Sequence, residues 1–383
     1  PQLSDEVQQQ ILRLHPPSAS ARNPVDLAAG ATAEAFARSL EVVLASGEVD
    51  AVVVIFTPPL LDLTAAVAQG VVDGVTQAAA GGAQLPVVAT FFGAEAGRSV
   101  LRSAAKPIPC FTYPETAVRA LSHAVSYGAW RSRPQEAPEP PAGTDGNEAR
   151  RVLLAHDDDG WVTGASAMAA LNAYGVRTLP TLEVTSAAAA GTAAIELGWP
   201  VALKAIGTGI VHKTELGGVR LGLADAAAVE TAYEEMKDSV GLAMQGAVLQ
   251  PMSAPGIELI AGFTQDPQFG PVVLCGLGGT AVELLGDHSV ALAPVTGGEA
   301  REMLLGIRAS KLLTGHRGSP AVDLDALSDL LVRLSHLADD LPEILEADCN
   351  PIVATPDGAW VVDARFRLAT EQMEEPDDRR RLR

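Results

Sequence analysis

Aromatic side chains are scarce in this chain: Phe, Trp and Tyr make up 4% of 383 residues. Small aliphatic residues must therefore build most of the core, and their apolar runs alternate with amphipathic stretches, a pattern that suits a helix-covered sheet better than a sandwich. An α/β architecture follows. Cysteine is equally rare. Cys110, Cys275 and Cys349 lie far apart in apolar sequence, which argues against a disulfide framework or a cysteine metal knuckle and fits buried small hydrophobes in a reducing compartment. Basic charge is short as well, with 27 Lys and Arg against 47 Asp and Glu, a formal charge of −20 at pH 7. Such a balance repels nucleic acid and anionic membrane, so any phosphate bound here is held locally. No apolar run reaches the roughly 18 residues of a membrane span, and "PQLSDEVQQQ" has neither the basic nor the hydrophobic part of a secretory signal. A soluble, cytoplasmic protein is expected. The initiating methionine is missing too, which fits a fragment or a processed piece.

The length suits two or three domains. A stretch rich in proline, glycine and charge, "RSRPQEAPEPPAGTDGNEARR", has no apolar period and reads as an exposed linker over 133–150, between domains at 1–132 and 151–383. In the first part, "DAVVVIF" and "LPVVATFFG" are β-branched strands, and helical patterns at 32–46, 61–80 and 115–130 complete a βαβ layout. About three strands are visible where a doubly wound domain has about five, so its front is expected from elsewhere. In the second part, Thr163 or Ser166 caps a helix through Tyr174 that Gly175 stops, followed by a strand "VRTLPTLEV" and a helix over 186–197. Strands "PVALKAI", "GGVRLGL", "GAVLQPM", "IELIAGFTQ" and "GPVVLCGLGG" follow, interleaved with helices at "ADAAAVETAYEEMK", 298–307 and 324–338. "CNPIVATPDGAWVVDARFRL" closes the chain as a hairpin, and the mixture indicates an α+β domain.

Four places carry chemistry. Lys204 lies on an apolar strand, where its charge needs a partner such as a phosphate, or a stem that snorkels outward. His212 lies in a glycine-flanked loop, and a neutral imidazole nitrogen is a good nucleophile towards phosphorus, although single loop histidines are more often surface decoration. His288 and His316 have no metal-ligand spacing. Asp348 and Asn350 precede Asp363 across the closing hairpin, and hard oxygens of this kind suit Mg²⁺ held against nucleotide phosphates, or else turn and cap duties. "GLGG" at 276–279 offers backbone N–H groups to an anion but lacks the spacing of a dinucleotide fingerprint or a P-loop.

The ordered set "PVALK", "HKTELGGVRL", "VLQPM", "GIELIAGFTQDPQFGP", "GLGGTAVELLGD", "LTGHRG", "EADCNPIV" and "VVDARFRL" closely resembles the ATP-grasp module of the NDP-forming acyl-CoA synthetases. "NPVDLAAGA" resembles part of that family's ligase domain. The resemblance implies a partial flavodoxin-like, doubly wound ligase domain followed by an ATP-grasp α+β domain. It also implies a reaction, acid, CoA and ATP to acyl-CoA, ADP and phosphate, through an acyl phosphate and a phosphohistidine.

Site roles follow from the same resemblance. "HKTELGG" looks like the mobile loop that ferries phosphate, which makes His212 the carrier, and Lys204 matches the lysine that neutralises nucleotide phosphates. Gln250 and Met252 match the hinge whose backbone groups hold adenine, where Pro251 has only a carbonyl to offer. Glu258 would face the ribose hydroxyls. Asn350 and Asp363 match the Mg²⁺ ligands, and Asp348 matches the carboxylate that steadies the phosphohistidine. Arg317 in "GHRG" is a phosphate candidate on chemistry alone. The implied ligands are ATP/ADP, Mg²⁺ and CoA, the last bound mainly by domains absent from this chain. The implied partners are a carboxylic acid, those missing domains in cis or as another chain, and an oligomer.

Two sequence departures bear on this. "GTGIVHK" stands where relatives often have "SPDILHK", and Ala291 falls where many carry arginine, removing a phosphate contact. Both suit a second reading, a regulatory ligand-sensing module of a protein lysine acetyltransferase whose catalytic domain lies upstream.

Overall fold

The computed structural model describes residues 1–15, 18–58, 63–92, 95–133, 136–155, 160–207, 217–279 and 286–369. His212 and its loop lie outside the described residues. The chain divides into two compact units, Pro1–Gln135 and Glu136–Arg383.

In the first unit, the β-branched runs become parallel strands β1 (Val52–Phe56) and β2 (Val87–Phe91), and a short β3 (Cys110–Phe111) joins in the order β1-β2-β3. Helices α1 (Asp5–Leu12), α2 (Ala33–Ala45), α3 (Thr64–Ala80), α4 (Glu95–Ser103) and α5 (Pro114–Arg131) surround them. Phe56, Phe91, Val67, Val71 and Leu101 centre the core. Gly70 and Gly74, one helical turn apart, let α3 lie directly on the α2 backbone: a Cβ at Gly70 would collide with the Ala33 carbonyl. The sequence reading omitted α1 and α4. For α1 a signal was there, since Ser4 caps it by accepting from the Val7 N–H and two acids open its first turn.

The second unit begins earlier than the linker reading allowed. Helix α6 (Gly146–Leu154) starts inside 133–150, with Asp145 as its cap and Ala149 and Leu153, four residues apart, buried beneath a charged surface. Strand β4 (Trp161–Thr163) leads into α7 (Gly164–Ala173). Thr163 occupies the cap position but its hydroxyl makes no capping bond; the Glu183 carboxylate accepts from the Ala165 N–H instead, at 2.8 Å. The strand expected over 176–184 shrinks to β5 (Leu182–Val184), because Pro180 interrupts it. The part before that proline serves another sheet, with Leu179 N–H donating to the Val361 carbonyl at 3.1 Å.

Two sheets result. Helix α8 (Ala187–Leu197), β6 (Val201–Ile206), β7 (Val219–Leu223), α9 (Ala226–Val240) and β8 (Gly246–Pro251) form a four-stranded sheet, order β5-β8-β6-β7, backed by both helices. The larger sheet holds β4 together with β9 (Ile257–Asp266), β10 (Gly270–Leu277), β11 (His288–Leu292), β12 (Ile344–Thr355), β13 (Gly358–Val361) and β14 (Ala364–Leu368), in the order β11-β10-β9-β12-β14-β4 with β13 also on β12. Helices α10 (Gly297–Gly306), α11 (Ser310–Leu313) and α12 (Leu324–Asp340) belong to this half. Ala347, Cys349, Phe366, Val162, Phe263 and Val273 share its core with Leu330 and Leu334 of α12. Glu346, Asp348, Arg365, Arg367 and Trp161 alternate onto the opposite face.

The closing hairpin differs from expectation in one respect that matters. Its returning arm is broken: β13 pairs with Ile352–Thr355 and β14 with the Ile344–Cys349 end, leaving Val362 and Asp363 between them. Pro351 has no N–H to give a ladder, and the β12 register against β9 also shifts between Cys349 and Ile352. No described helix is long and apolar enough to cross a membrane.

Phe366 is fully buried in the larger core. Phe366→Ala is expected to cost about 3–5 kcal/mol, read from urea unfolding. All three cysteines are free. Burial pushes the Cys275 thiol up to about 12, and burial together with Asp348 and Asp363 raises that of Cys349 further. At pH 8 both stay neutral thiols, so a thiol reagent should label half-buried Cys110 first and reach the other two only on unfolding.

Candidate functional site

Strand β6 is buried along almost its whole length, and Lys204 is drawn into it with only 9% of its surface exposed. Its Nζ donates to the Val362 carbonyl oxygen at 3.2 Å. Gln250 on β8 lies on the same face, since Ala202 pairs with Gln250 and Lys204 with Val248. At 2% exposure, its Nε2 donates to that same Val362 oxygen at 3.0 Å and to Thr181 Oγ1 at 2.9 Å. Two donors from the small sheet thus meet one carbonyl of the large one.

The receiving segment is strapped down by backbone bonds. Val362 N–H donates to the Pro351 carbonyl at 2.9 Å, and Asn350 N–H donates to the Asp363 carbonyl at 3.0 Å. Asp363 Oδ1 also accepts from Ala364 N–H at 3.0 Å. Beside this corner, Asp348 pairs with Arg365, Oδ2 to Nη2 at 3.0 Å, and the Arg365 guanidinium lies 5.4 Å from the centre of the Trp161 ring. Burial pushes the Asp348 carboxyl above the usual carboxylate range; Arg365 opposes the rise, while Glu346 and Asp363 add to it.

The structure therefore brings Lys204, Gln250, Asp348, Asn350 and Asp363 together. Among the other expected residues that are described, Met252, Glu258 and Arg317 make none of the hydrogen bonds that join this cluster. Met252 is exposed and its N–H donates to the Pro200 carbonyl at 3.1 Å, so in this conformation the hinge N–H is engaged within the small sheet. Glu258 is exposed on β9. Its carbonyl takes the Gly278 N–H at 2.7 Å, and a Cβ at Gly279 would lie 3.3 Å from its carboxylate. That glycine turn thus serves Glu258 with one of the N–H groups once offered to an anion. Arg317 is exposed, with φ of 49°, on the loop before α12. Ala291 of β11 pairs with Val273 of β10 and packs against the larger core, on the face turned away from Asp348.

Sequence reasoning missed the Val362 carbonyl, Thr181, Arg365 and Trp161. For Arg365 a signal existed, because the alternation in "DARFR" places it on the polar face beside Asp348's strand. A backbone carbonyl has no side-chain signature at all.

Among the described residues no group of three His, Cys, Asp or Glu side chains is arranged to hold a metal. The Asn350 amide and the Asp363 carboxylate instead fit a hard divalent cation that needs only one or two protein ligands. They are two hard-oxygen groups on adjoining segments, a donor set that suits Mg²⁺ taking its remaining ligands from phosphates and water. With a lysine ammonium on the neighbouring sheet, the arrangement can receive a polyanion at one end and a divalent cation at the other.

Residues 154–368 match the ATP-grasp domain family. The chain is 34% identical over 358 residues to the acetate–CoA ligase (ADP-forming) I of Archaeoglobus fulgidus, covering 91% of this chain and 50% of that protein. It thus spans about half the length of that curated relative. Over 178 residues it is 39% identical to subunit beta of the corresponding Pyrococcus furiosus ligase, 45% of this chain and 77% of the subunit. Among solved structures, a dinucleotide-forming acetyl-coenzyme A synthetase 1 from Ca. Korarchaeum cryptofilum, in complex with coenzyme A, Ca-AMPCP and HgCl⁺, aligns with a TM-score of 0.56 at 38% identity, over 58% of this chain and all of that one.

The raised Asp348 carboxyl makes a signed prediction. A folded-state value above the ordinary 3.8 means that the folded protein holds this proton more tightly, so the Asp348 contribution to stability falls as pH rises from 3.8 through the folded value. Urea unfolding in EDTA across that window should show wild type losing stability relative to Asp348→Asn as the pH increases.

Proposed function

We propose, because this chain belongs to the ATP-grasp family of ADP-forming acyl-CoA ligases, that it is the nucleotide-binding, phosphohistidine-carrying part of such an enzyme. The observation that carries this reading is that Lys204 and Gln250 of one sheet both donate to the Val362 carbonyl of the other, next in the chain to Asp363, whose own carbonyl takes the Asn350 N–H. A triphosphate laid across that junction meets a buried cation on one side and hard oxygens on the other.

The assigned step is transfer of the γ-phosphoryl group of ATP to a His212 ring nitrogen. The bond from the γ-phosphorus to the bridging oxygen breaks, an N–P bond forms, and ADP leaves. Lys204 balances charge on the phosphate oxygens and holds them in line. Asn350 and Asp363 would hold Mg²⁺, which when bound supplies neutralisation of the β- and γ-phosphate charge. Asp348 is assigned to steady His212: a carboxylate that accepted from one ring nitrogen would favour the tautomer whose other nitrogen attacks. Arg365 favours the ionised form of Asp348 against its burial. Met252 borders the adenine and Glu258 the ribose hydroxyls; Arg317 has no part in this assignment. Binding of CoA and of the carboxylic acid, and the remaining steps, are assigned to the half of the relative's length that this chain does not span, supplied in cis or by another chain.

Phosphohistidine formation tests the reading. Incubated with Mg²⁺ and γ-labelled ATP, the protein should gain an acid-labile, base-stable label that His212→Ala abolishes. Lys204→Met should slow labelling about a hundredfold, the scale for removing one preorganised charge contact. ATP binding with no such label would overturn the ligase assignment and favour a ligand-sensing module, while label that persists in His212→Ala would move the carrier elsewhere.

A further inference from the structure

Gln250 was expected at the nucleotide hinge through its backbone, yet its side chain is the more unusual feature. It is 98% buried, both bonds of its Nε2 run to fixed oxygens, and its Oε1 is buried with no hydrogen-bond partner. An unsatisfied buried acceptor is a standing cost that an apolar residue of the same size would avoid. The two N–H donations are what the glutamine supplies in exchange. One goes to Thr181 Oγ1, whose own hydroxyl donates to the Leu179 carbonyl at 2.8 Å. With the Thr181 hydrogen so directed, its oxygen faces the amide as an acceptor and fixes which end of the Gln250 amide points there. The other N–H goes to Val362, whose carbonyl belongs to the peptide that begins Asp363.

Resting on the function proposed above, we infer that Gln250 is a positioning residue for the cation-binding corner: by gripping the Val362 carbonyl, its amide sets the Val362–Asp363 peptide and hence where the Asp363 carboxylate and the strapped Asn350 are presented. Lys204 shares the same carbonyl, so the position of the phosphate-binding ammonium and that of the cation ligands are referred to a single atom. Gln250 touches neither cation nor phosphate in this scheme. It acts through Asp363.

The experiment uses the full chain, a non-hydrolysable ATP analogue and Mg²⁺, with calorimetric titration as the readout. Gln250→Met keeps length and burial and removes both donors. It is expected to raise the Mg²⁺ concentration giving half of the metal-dependent gain in analogue affinity by about tenfold or more, the scale for loss of a ligand's supporting partner. Thr181→Val removes the steering oxygen from the far side of the amide and should move the Mg²⁺ midpoint the same way by a smaller factor; it provides the test if Gln250→Met does not fold. A weaker affinity in EDTA with an unchanged Mg²⁺ midpoint makes Gln250 a nucleotide contact and overturns the inference, as does a midpoint that neither variant moves. If the wild-type chain binds no analogue with or without Mg²⁺, the functional reading itself falls and takes this inference with it.

Discussion

A backbone carbonyl outside a strand ladder must find donors, and in this protein that requirement is concentrated at Val362. Pro351 cannot extend the ladder of β12, the returning arm breaks into β13 and β14, and the carbonyl at the break is met by Lys204 and Gln250. The rest of the site follows from that accommodation. The break exposes Asn350 and turns Asp363 out of strict alternation, and the two answering donors bring the small sheet's buried polar face against the large sheet. A cation and an amide donor reach the chain beside two hard-oxygen residues where the returning arm breaks opposite Pro351.

The electrostatics are correspondingly local. A chain with a formal charge of −20 has no long-range attraction for a nucleotide. In the function proposed above, attraction is local: Lys204 is placed within β6, where water is largely excluded, and Arg365, partly exposed, pairs with Asp348. The same exclusion that strengthens them pushes the Asp348 carboxyl up and leaves the Gln250 oxygen unpartnered, so the site holds both the gains and the costs of low polarity.

Much of the fold was legible in order and type. "VVVIF", "PVALKAI" and "GPVVLCGL" are strands, and the amphipathic stretches between them are helices, because apolar period and β-branching are local properties. Losses fell where local signal was thin or masked. Helix α6 hides two core residues among charges, β4 is three residues long, and Pro180 divides one apparent strand between two sheets. At the site, Lys204, Asn350 and Asp363 were readable as residue types needing partners. The partner they share was not, since Val362 lies 158 residues from Lys204 and 112 from Gln250 and contributes only main chain.

Strand β12 has a consequence for how the protein tolerates change. Between 346 and 349 its side chains alternate strictly: Ala347 and Cys349 lie in the core, while Glu346 and Asp348 face the opposite side. Substitutions at these four positions are therefore sorted by parity: the odd ones are constrained by volume and the even ones by charge, so either pair can change without disturbing the other.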